Sequence, residues 1–478
     1  MTNPPLSSQK ASLERLFNPE SIAIVGASPV EGKLGRAVVD SMIAHGYSSE
    51  RLFLVNPSCV ENEKEETGKR YYRNVADIPE IPDLSVILIP AQRVLEATKE
   101  CFEKGIRKLI VMSAGFSETG SESGREIEKE LLSLAKEYDA RIVGPNCLGI
   151  FDNVSRVDTF FVPPSLIHRP QRGAVSIASQ SGSFVGHFLD ICYSEKLGIA
   201  RAITYGNRVD VDESDVLEYF AQDGATRVIG LYVEGVSSGP KFLKALEKCS
   251  ESRKQVVALK TGKYASLEGA VTSHTGALAG SYQAYRAVFK KFGVLEVDGI
   301  EKFIDACKAL TMLPRAKGKR ILILGHAGGL GLTLADNCIS LGLLVPQIPL
   351  DLKEILGPDL LSFASLSNPV DLTASGTDEQ AELVLGKCLT EPFFDMAIYL
   401  ALWGLPQNTE KIGGIVARTI AKSSKPVIVA SLATQSCIER GHVFEDLGVP
   451  VFFSLERAAF AAHCLARPKD SDQKLECK

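Results

Sequence analysis

The sequence predicts an α/β protein built from three doubly wound parallel-sheet domains, and three observations carry that prediction. Repeatedly along the chain a β-branched apolar run ends in Gly, Ser or Asn punctuation and is followed by a segment of helical period, which is the βαβ signature. The runs are uniformly apolar rather than alternating, as strands of a sheet covered on both faces must be. The chain has 478 residues, whereas a single core stops growing near ~250 to 300 residues.

In the first third, strands are expected at Ser21 to Gly26, Leu52 to Asn56, Leu84 to Ile89, Lys108 to Met112 and Arg141 to Gly144, with helices at Ala91 to Lys104 and Gly124 to Tyr138. Between Phe151 and Arg172 the pattern lapses into a Pro-rich stretch, VPPSLIHRPQRG, which reads as a boundary. The second unit opens with Gly173 to Ser179 and continues through strands at Ala200 to Thr204, Val228 to Val233 and Gln255 to Lys260. A helix is expected from about Tyr282 to Phe292, and a strongly amphipathic one leads into an expected linker, Leu313 to Gly318. The third unit has strands at Arg320 to Leu324, Met396 to Leu400, Pro426 to Ala430 and Val449 to Phe453. The expected domains are residues 1–150, 151–312 and 318–467.

Composition narrows the class. Hydrophobic content of 45% with 23% charge is that of a soluble globular protein. The formal net charge is -5 and no Lys/Arg run forms a stripe, so no footprint for nucleic acid or an anionic membrane is expected. The first residues, MTNPPLSSQKASLERLF, show neither a secretory nor a transit pattern, and no stretch of ~18 apolar residues occurs. A cytoplasmic protein is expected. The eleven cysteines are scattered without close pairs, so they read as reduced core thiols and no metal site is expected.

The turn Gly26-Ala27-Ser28, followed by Lys33, Gly35 and Arg36, has the strand-turn-helix context in which helix N-terminal amides receive phosphate. It is not a dinucleotide fingerprint. That fingerprint needs Gly where Ser28 stands, and an acid at the end of the next strand, which here ends Val55-Asn56-Pro57. A longer turn carrying Ser28, Lys33 and Arg36 suits a more highly phosphorylated nucleotide such as CoA. Further turns at Ile89-Pro90, Ser113-Ala114-Gly115 and Gly144-Pro145-Asn146-Cys147 fall at the same sheet edge, where ligands of open parallel sheets sit.

The middle unit holds the candidate chemistry. His274 lies in VTSHTGALAG, where small neighbours allow close approach of a ligand, as a phosphoryl acceptor requires. A nucleophilic histidine needs a carboxylate on its other ring nitrogen to fix the tautomer, and Glu234, ending the apolar strand before Gly235, is placed for that role. A bland alternative pairs Glu234 with Lys260 or Lys263. The turn Ser179-Gln180-Ser181-Gly182-Ser183 opens a helix, so its amides and hydroxyls can hold phosphate or a phosphohistidine.

Taken in order, IAIVGAS with Lys33 and Gly35, LFLVNP, SAGFSE, RIVGPNCLG, SIASQSGSF, LYVEG, ALKTG, SHTGALAGS, AGGLG and SNPVDLT resemble the α subunit of the ADP-forming acetate:CoA ligases and, more distantly, succinyl-CoA synthetase. The resemblance runs from about Leu16 to Arg467. It implies a Rossmann-like CoA-binding domain followed by two flavodoxin-like domains, with His274 as phosphoryl carrier, Glu234 its partner and Ser179 to Ser183 the phosphate cradle. It further implies a CoA site at Gly26, Ala27, Ser28, Lys33, Gly35, Asn56, Pro57, Ile89, Pro90, Ser113, Gly115 and Asn146. The implied reaction converts acyl-CoA, phosphate and ADP to acid, CoA and ATP, with Mg²⁺ accompanying the nucleotide on a separate ATP-grasp β subunit, in a heterotetramer. One departure is His326 in GHAGG, where relatives usually carry Asn or another small polar residue. The rival readings are a catalytically inactive CoA-binding regulator or scaffold, a nicotinamide oxidoreductase, and an acyltransferase using Cys147.

Overall fold

The computed structural model describes residues 13–58, 71–264, 281–390, 392–404, 409 and 411–466. The chain divides into two compact units, Met1–Val297 and Asp298–Lys478. The first unit contains two sheets and the second contains one.

The first sheet comprises β1 (Ile22–Val25), β2 (Leu52–Val55), β3 (Tyr71–Tyr72), β4 (Leu84–Ile87), β5 (Lys108–Val111) and β6 (Arg141–Val143), in the order β3-β2-β1-β4-β5-β6. Every pairing in it is parallel. This is the doubly wound order of a dinucleotide-type fold, whose switch point lies between β1 and β4. Strands β1, β2 and β4 are buried at every position, which explains their unbroken apolar runs. Helices α1 (Leu34–Ala44), α2 (Ala91–Lys104) and α3 (Glu122–Glu137) supply the crossovers. Ser121 caps α3 by accepting from the Gly124 amide.

The second sheet comprises β7 (Gly149–Asp152), β8 (Val157–Asp158), β9 (Arg172–Ser179), β10 (Ile199–Thr204), β11 (Val228–Val233), β12 (Gln255–Lys260) and β13 (Leu295–Val297), in the order β13-β12-β11-β9-β10-β7-β8. Its five parallel strands have the flavodoxin-like order, with the switch point between β9 and β11. The sheet is not wholly parallel. β7 runs antiparallel to β10, and β8 antiparallel to β7, so the segment read as a Pro-rich lapse begins as a two-stranded edge. Strand periodicity gave little signal there because the two strands are four and two residues long. Helices α4 (Gly182–Ser194), α5 (Glu213–Gln222), α6 (Gly239–Glu251) and α7 (Tyr282–Lys291) flank this sheet in sequence.

The C-terminal unit begins with α8 (Ile300–Met312) and holds the parallel sheet β15-β14-β16-β17-β18, formed by β14 (Ile321–Gly325), β15 (Val370–Asp371), β16 (Met396–Leu400), β17 (Val427–Ala430) and β18 (Val451–Phe452). It too has the flavodoxin-like order. Its later helices are α9 (Gly328–Ser340), α10 (Asp378–Thr390), α11 (Lys411–Ser423), α12 (Gln435–Asp446) and α13 (Leu455–Leu465). The amphipathic α8 is held to this unit by buried ion pairs, Lys308 with Glu445 and Asp305 with Arg457. Among the described residues no helix is long and apolar enough to cross a membrane.

Candidate functional site

Two features of the first glycine-rich turn follow from backbone crowding. Gly26 has φ +95°, and a Cβ there would lie 2.3 Å from the Leu88 carbonyl oxygen; a Cβ on Gly35 would lie 2.0 Å from the Gly26 oxygen. Only glycines let α1 start this close to the end of β1, and its first amides then face the sheet edge. Lys33 is the exposed N-cap of α1. Ser28 accepts from the Val30 amide, and Arg36 is committed to Asp40 at 2.8 Å and to the Pro29 carbonyl. Asn56 is likewise used locally: its amide donates to the Ala27 carbonyl at 2.7 Å and its oxygen accepts from the Ser58 amide. Pro57 is exposed.

The other turns of the first sheet converge with the second sheet on one cavity of about 530 Å³. Ile89, Pro90, Ser113, Asn146 and the Gln180–Ser183 turn all contribute to its wall. Gly115 does not line it; at φ +107° it closes the turn beside Ala91, with its amide donated to Glu118. Apolar wall residues that sequence reasoning did not single out are Leu88, Met112, Leu148 and Phe161. They had no motif signal, because strand ends and loops contribute apolar side chains singly.

The cavity wall is braced by an amide-carboxylate cluster. Asn207 accepts from the Asn146 carboxamide and donates to Glu118 at 2.6 Å and Glu128 at 2.7 Å. Burial works against ionisation of Glu118, but hydrogen bonds from the Gly115 amide and Asn207 outweigh it and hold the carboxyl below its ordinary range. Asn207 sits just past β10, and nothing in the sequence pattern marked it.

Cys147 also touches the cavity, but its Sγ is 3.4 Å from the Val111 carbonyl and burial pushes the thiol up to about 12. A thiol held protonated at neutral pH is a poor nucleophile, which argues against the acyltransferase reading.

At the switch point of the second sheet, the ends of β9 and β11 lie side by side. Ser179 Oγ donates to the Ser181 carbonyl and accepts from the Ser181 amide, shaping the turn. Ser181 then caps α4 by accepting from the Phe184 amide and sits 3.2 Å from Ser183 Oγ. Gly182 and Ser183 form the first turn of a 13-residue helix and line the cavity, and the N–H groups of such a turn suit an anion. Gln180, 4% exposed, accepts at Oε1 from the amides of Glu234 (2.5 Å) and Gly235 (3.0 Å). Glu234, 6% exposed, is thereby fixed beside the cradle.

Of the expected alternative partners of Glu234, Lys260 lies within reach of it and Lys263 is engaged with another acid. Lys260 donates to the Glu234 backbone carbonyl at 2.8 Å and packs against the Tyr285 ring, while Lys263 pairs with Glu296. Burial lowers Lys260 to about 8, the charge of Glu234 opposing the shift. His274 lies outside the described residues. His326, in the C-terminal unit, is buried between the Thr373 carbonyl and the Tyr399 hydroxyl, and burial lowers its affinity for a proton.

The two sheets of the first unit match two families: a CoA binding domain over residues 20–152 and a succinyl-CoA ligase like flavodoxin domain over residues 172–310. Over 456 residues the chain is 32% identical to the alpha subunit of acetate–CoA ligase (ADP-forming) I of Pyrococcus furiosus, covering 95% of this chain and 97% of that one. The chain belongs to the ADP-forming acetate–CoA ligase family. Within that family it is 34% identical to acetate–CoA ligase (ADP-forming) I of Archaeoglobus fulgidus, over 95% of this chain and 63% of the relative. The acetyl-coenzyme A synthetase 1 of Candidatus Korarchaeum cryptofilum, solved with phosphate and ADP, superposes with a TM-score of 0.85 at 29% identity, covering 95% of this chain and 96% of that one. The family members named here are ligases, which favours an enzyme over an inactive scaffold.

Proposed function

We propose that this chain is the alpha subunit of an NDP-forming acyl-CoA synthetase that interconverts acyl-CoA, phosphate and ADP with acid, CoA and ATP. The observation that carries the reading is the juxtaposition at the second switch point: an anion cradle on α4, Glu234 fixed beside it, and a cavity reaching from there to the turns of a CoA-binding fold. CoA lies along Gly26, Ala27, Ser28, Lys33, Gly35, Asn56, Pro57, Ile89, Pro90, Ser113, Gly115 and Asn146, in a domain of residues 1–150. Ser28, Arg36 and Asn56 shape this turn more than they offer free polar groups, so backbone amides of α1 and Lys33 supply most of the phosphate contacts.

Phosphate rests on Ser179, Gln180, Ser181, Gly182 and Ser183 and attacks the thioester carbonyl, giving acyl phosphate and free CoA. His274 then takes the phosphoryl group, releasing the acid, with Glu234 accepting from its second nitrogen and supporting the cationic product. These residues belong to a domain of residues 151–312, and residues 318–467 form the third. The phosphoryl group passes to ADP on an ATP-grasp β subunit in a heterotetramer, where Mg²⁺ accompanies the nucleotide and screens its charge. Support for a separate partner comes from the two Pyrococcus furiosus relatives named as alpha subunits, each matched over 97% of its length.

The test is phosphorylation. Incubated with labelled phosphate and a panel of acyl-CoAs, the wild-type protein acquires acid-labile, alkali-stable label, His274→Ala does not, and ADP discharges the label only when the partner is present. A wild-type protein that stays unlabelled with every acyl-CoA, and with ATP plus partner, leaves a CoA-binding regulator as the better reading.

A further inference from the structure

The carboxamide of Gln180 can adopt one orientation only. Two successive backbone N–H groups, of Glu234 and Gly235, point at one of its terminal atoms, which must therefore be the oxygen. The nitrogen is left facing the other way. Nε2 is buried, without a hydrogen-bond partner among the described residues, and Gln180 lines the 530 Å³ cavity together with the first turn of α4. A buried donor with no acceptor is destabilising, and such an orphan in a side chain that lines a ligand cavity calls for an acceptor on the ligand.

We infer that Gln180 Nε2 is the oxyanion donor for the thioester cleavage step: a catalytic residue that stabilises the negative charge developing on the acyl oxygen. The inference rests on the proposed function and deepens it, giving Gln180 a role in the chemical step beyond its place in the phosphate cradle. When a phosphate oxygen attacks the carbonyl carbon, the new C–O bond forms as the carbonyl π pair moves onto oxygen. The tetrahedral species then collapses, the C–S bond breaks, and the CoA thiolate leaves and takes a proton.

A donor is useful here because the wall residues Leu88, Met112, Leu148 and Phe161 have no side-chain hydrogen bond to offer that oxygen. Gln180 cannot turn away, because rotation would strand the Glu234 and Gly235 amides. It also links the two half-reactions, its oxygen holding the Glu234 backbone amide while its nitrogen is the donor assigned to the acyl oxygen.

The discriminating variant is Gln180→Glu. Its carboxylate accepts from the same two amides, so the fold is kept, but it presents an acceptor where the wild type presents a donor. We expect kcat for phosphorolysis of acyl-CoA to fall 100-fold or more, the loss typical of one oxyanion donor. Labelling of His274 from ATP and partner, which involves no thioester, falls by at least 10-fold less than phosphorolysis does. As the pH is lowered, the carboxyl protonates and regains a donor, so the variant's activity relative to wild type rises; the Glu234 carboxylate favours that protonation, while the Glu234 and Gly235 amides and the Lys260 ammonium oppose it. Equal losses in phosphorolysis and in labelling from ATP make Gln180 a phosphate ligand only and overturn the inference, as does wild-type kcat.

Wild-type protein gives a second readout if the variant does not fold. A carbonyl-¹³C acetyl-CoA analogue, with CH₂ in place of the thioester sulfur, should bind with its carbonyl stretch shifted to lower frequency than in water. An unshifted or raised frequency overturns the assignment. Failure of the functional reading is distinguishable, because then the wild type phosphorolyses no acyl-CoA at all.

Discussion

At the scale of single residues, the site depends on groups whose freedom is already spent. Cys147 is the plainest case: with its thiol pushed up to about 12, it is protonated throughout pH 6 to 9, so Cys147→Ser should keep phosphorolysis within about 5-fold and wild-type Cys147 should resist thiol reagents in the folded state. Loss of activity by 100-fold on that substitution, with CoA binding intact, would return the thiol to the mechanism. Gly35→Ala tests the other end of the CoA site. Its Cβ would meet the Gly26 oxygen at 2.0 Å, so α1 must move; overpacking of this kind costs about 1–3 kcal/mol, and we expect at least 10-fold weaker CoA binding by calorimetry. Both positions show where the sequence was informative. Ser28 and Asn56 argued against a nicotinamide site by identity alone, whereas the clamp by Asn207 depends on side chains meeting across turns that no linear pattern records.

At the scale of elements, polar groups buried between strands and helices set the behaviour with pH and mutation. Lys260 closes the end of β12 with 1% exposure, and its folded pKa of about 8 lies below the ordinary value. The unfolded chain therefore binds more protons between pH 8 and about 10.4, and stability from this group rises with pH across that window, by at most about 1.4 kcal/mol per pH unit. Lys260→Met should lose that rise, and urea midpoints of the two proteins measured from pH 7.5 to 10 check it; parallel pH curves would show that Lys260 is not responsible. The pair of Lys308 on α8 with Glu445 on α12 is fully buried, with a further bond from Lys308 to the Val451 carbonyl. Removing one member strands the other, so Lys308→Ala should cost about 3–5 kcal/mol, while Lys308→Met with Glu445→Leu should recover most of it. Helices such as α2 and strands such as β11 and β12 were legible to the residue because a full apolar face repeats over their length. The short strands β3, β8 and β15, each two residues long, carry too few positions for any period.

At the scale of the whole molecule, three sheets are distributed over two compact units, and the cavity with all its wall residues belongs to the first. The βαβ rhythm foretold three sheets because each apolar run demands a covered parallel sheet, but rhythm is silent on which sheets share a unit. That grouping depends on contacts such as the antiparallel pairing of β7 with β10, which carries the chain from the first sheet directly into the second. Ligand binding should therefore act on one unit alone. CoA at 100 times its Kd stabilises whatever it binds by about 2.7 kcal/mol, so calorimetric scans should show one transition moved upward by CoA and one left in place. Lys308→Ala should lower the second without altering the CoA response of the first. A single transition that shifts as a whole with CoA would mean that the two units unfold as one cooperative body, and the wall of the cavity would then owe part of its stability to the C-terminal sheet.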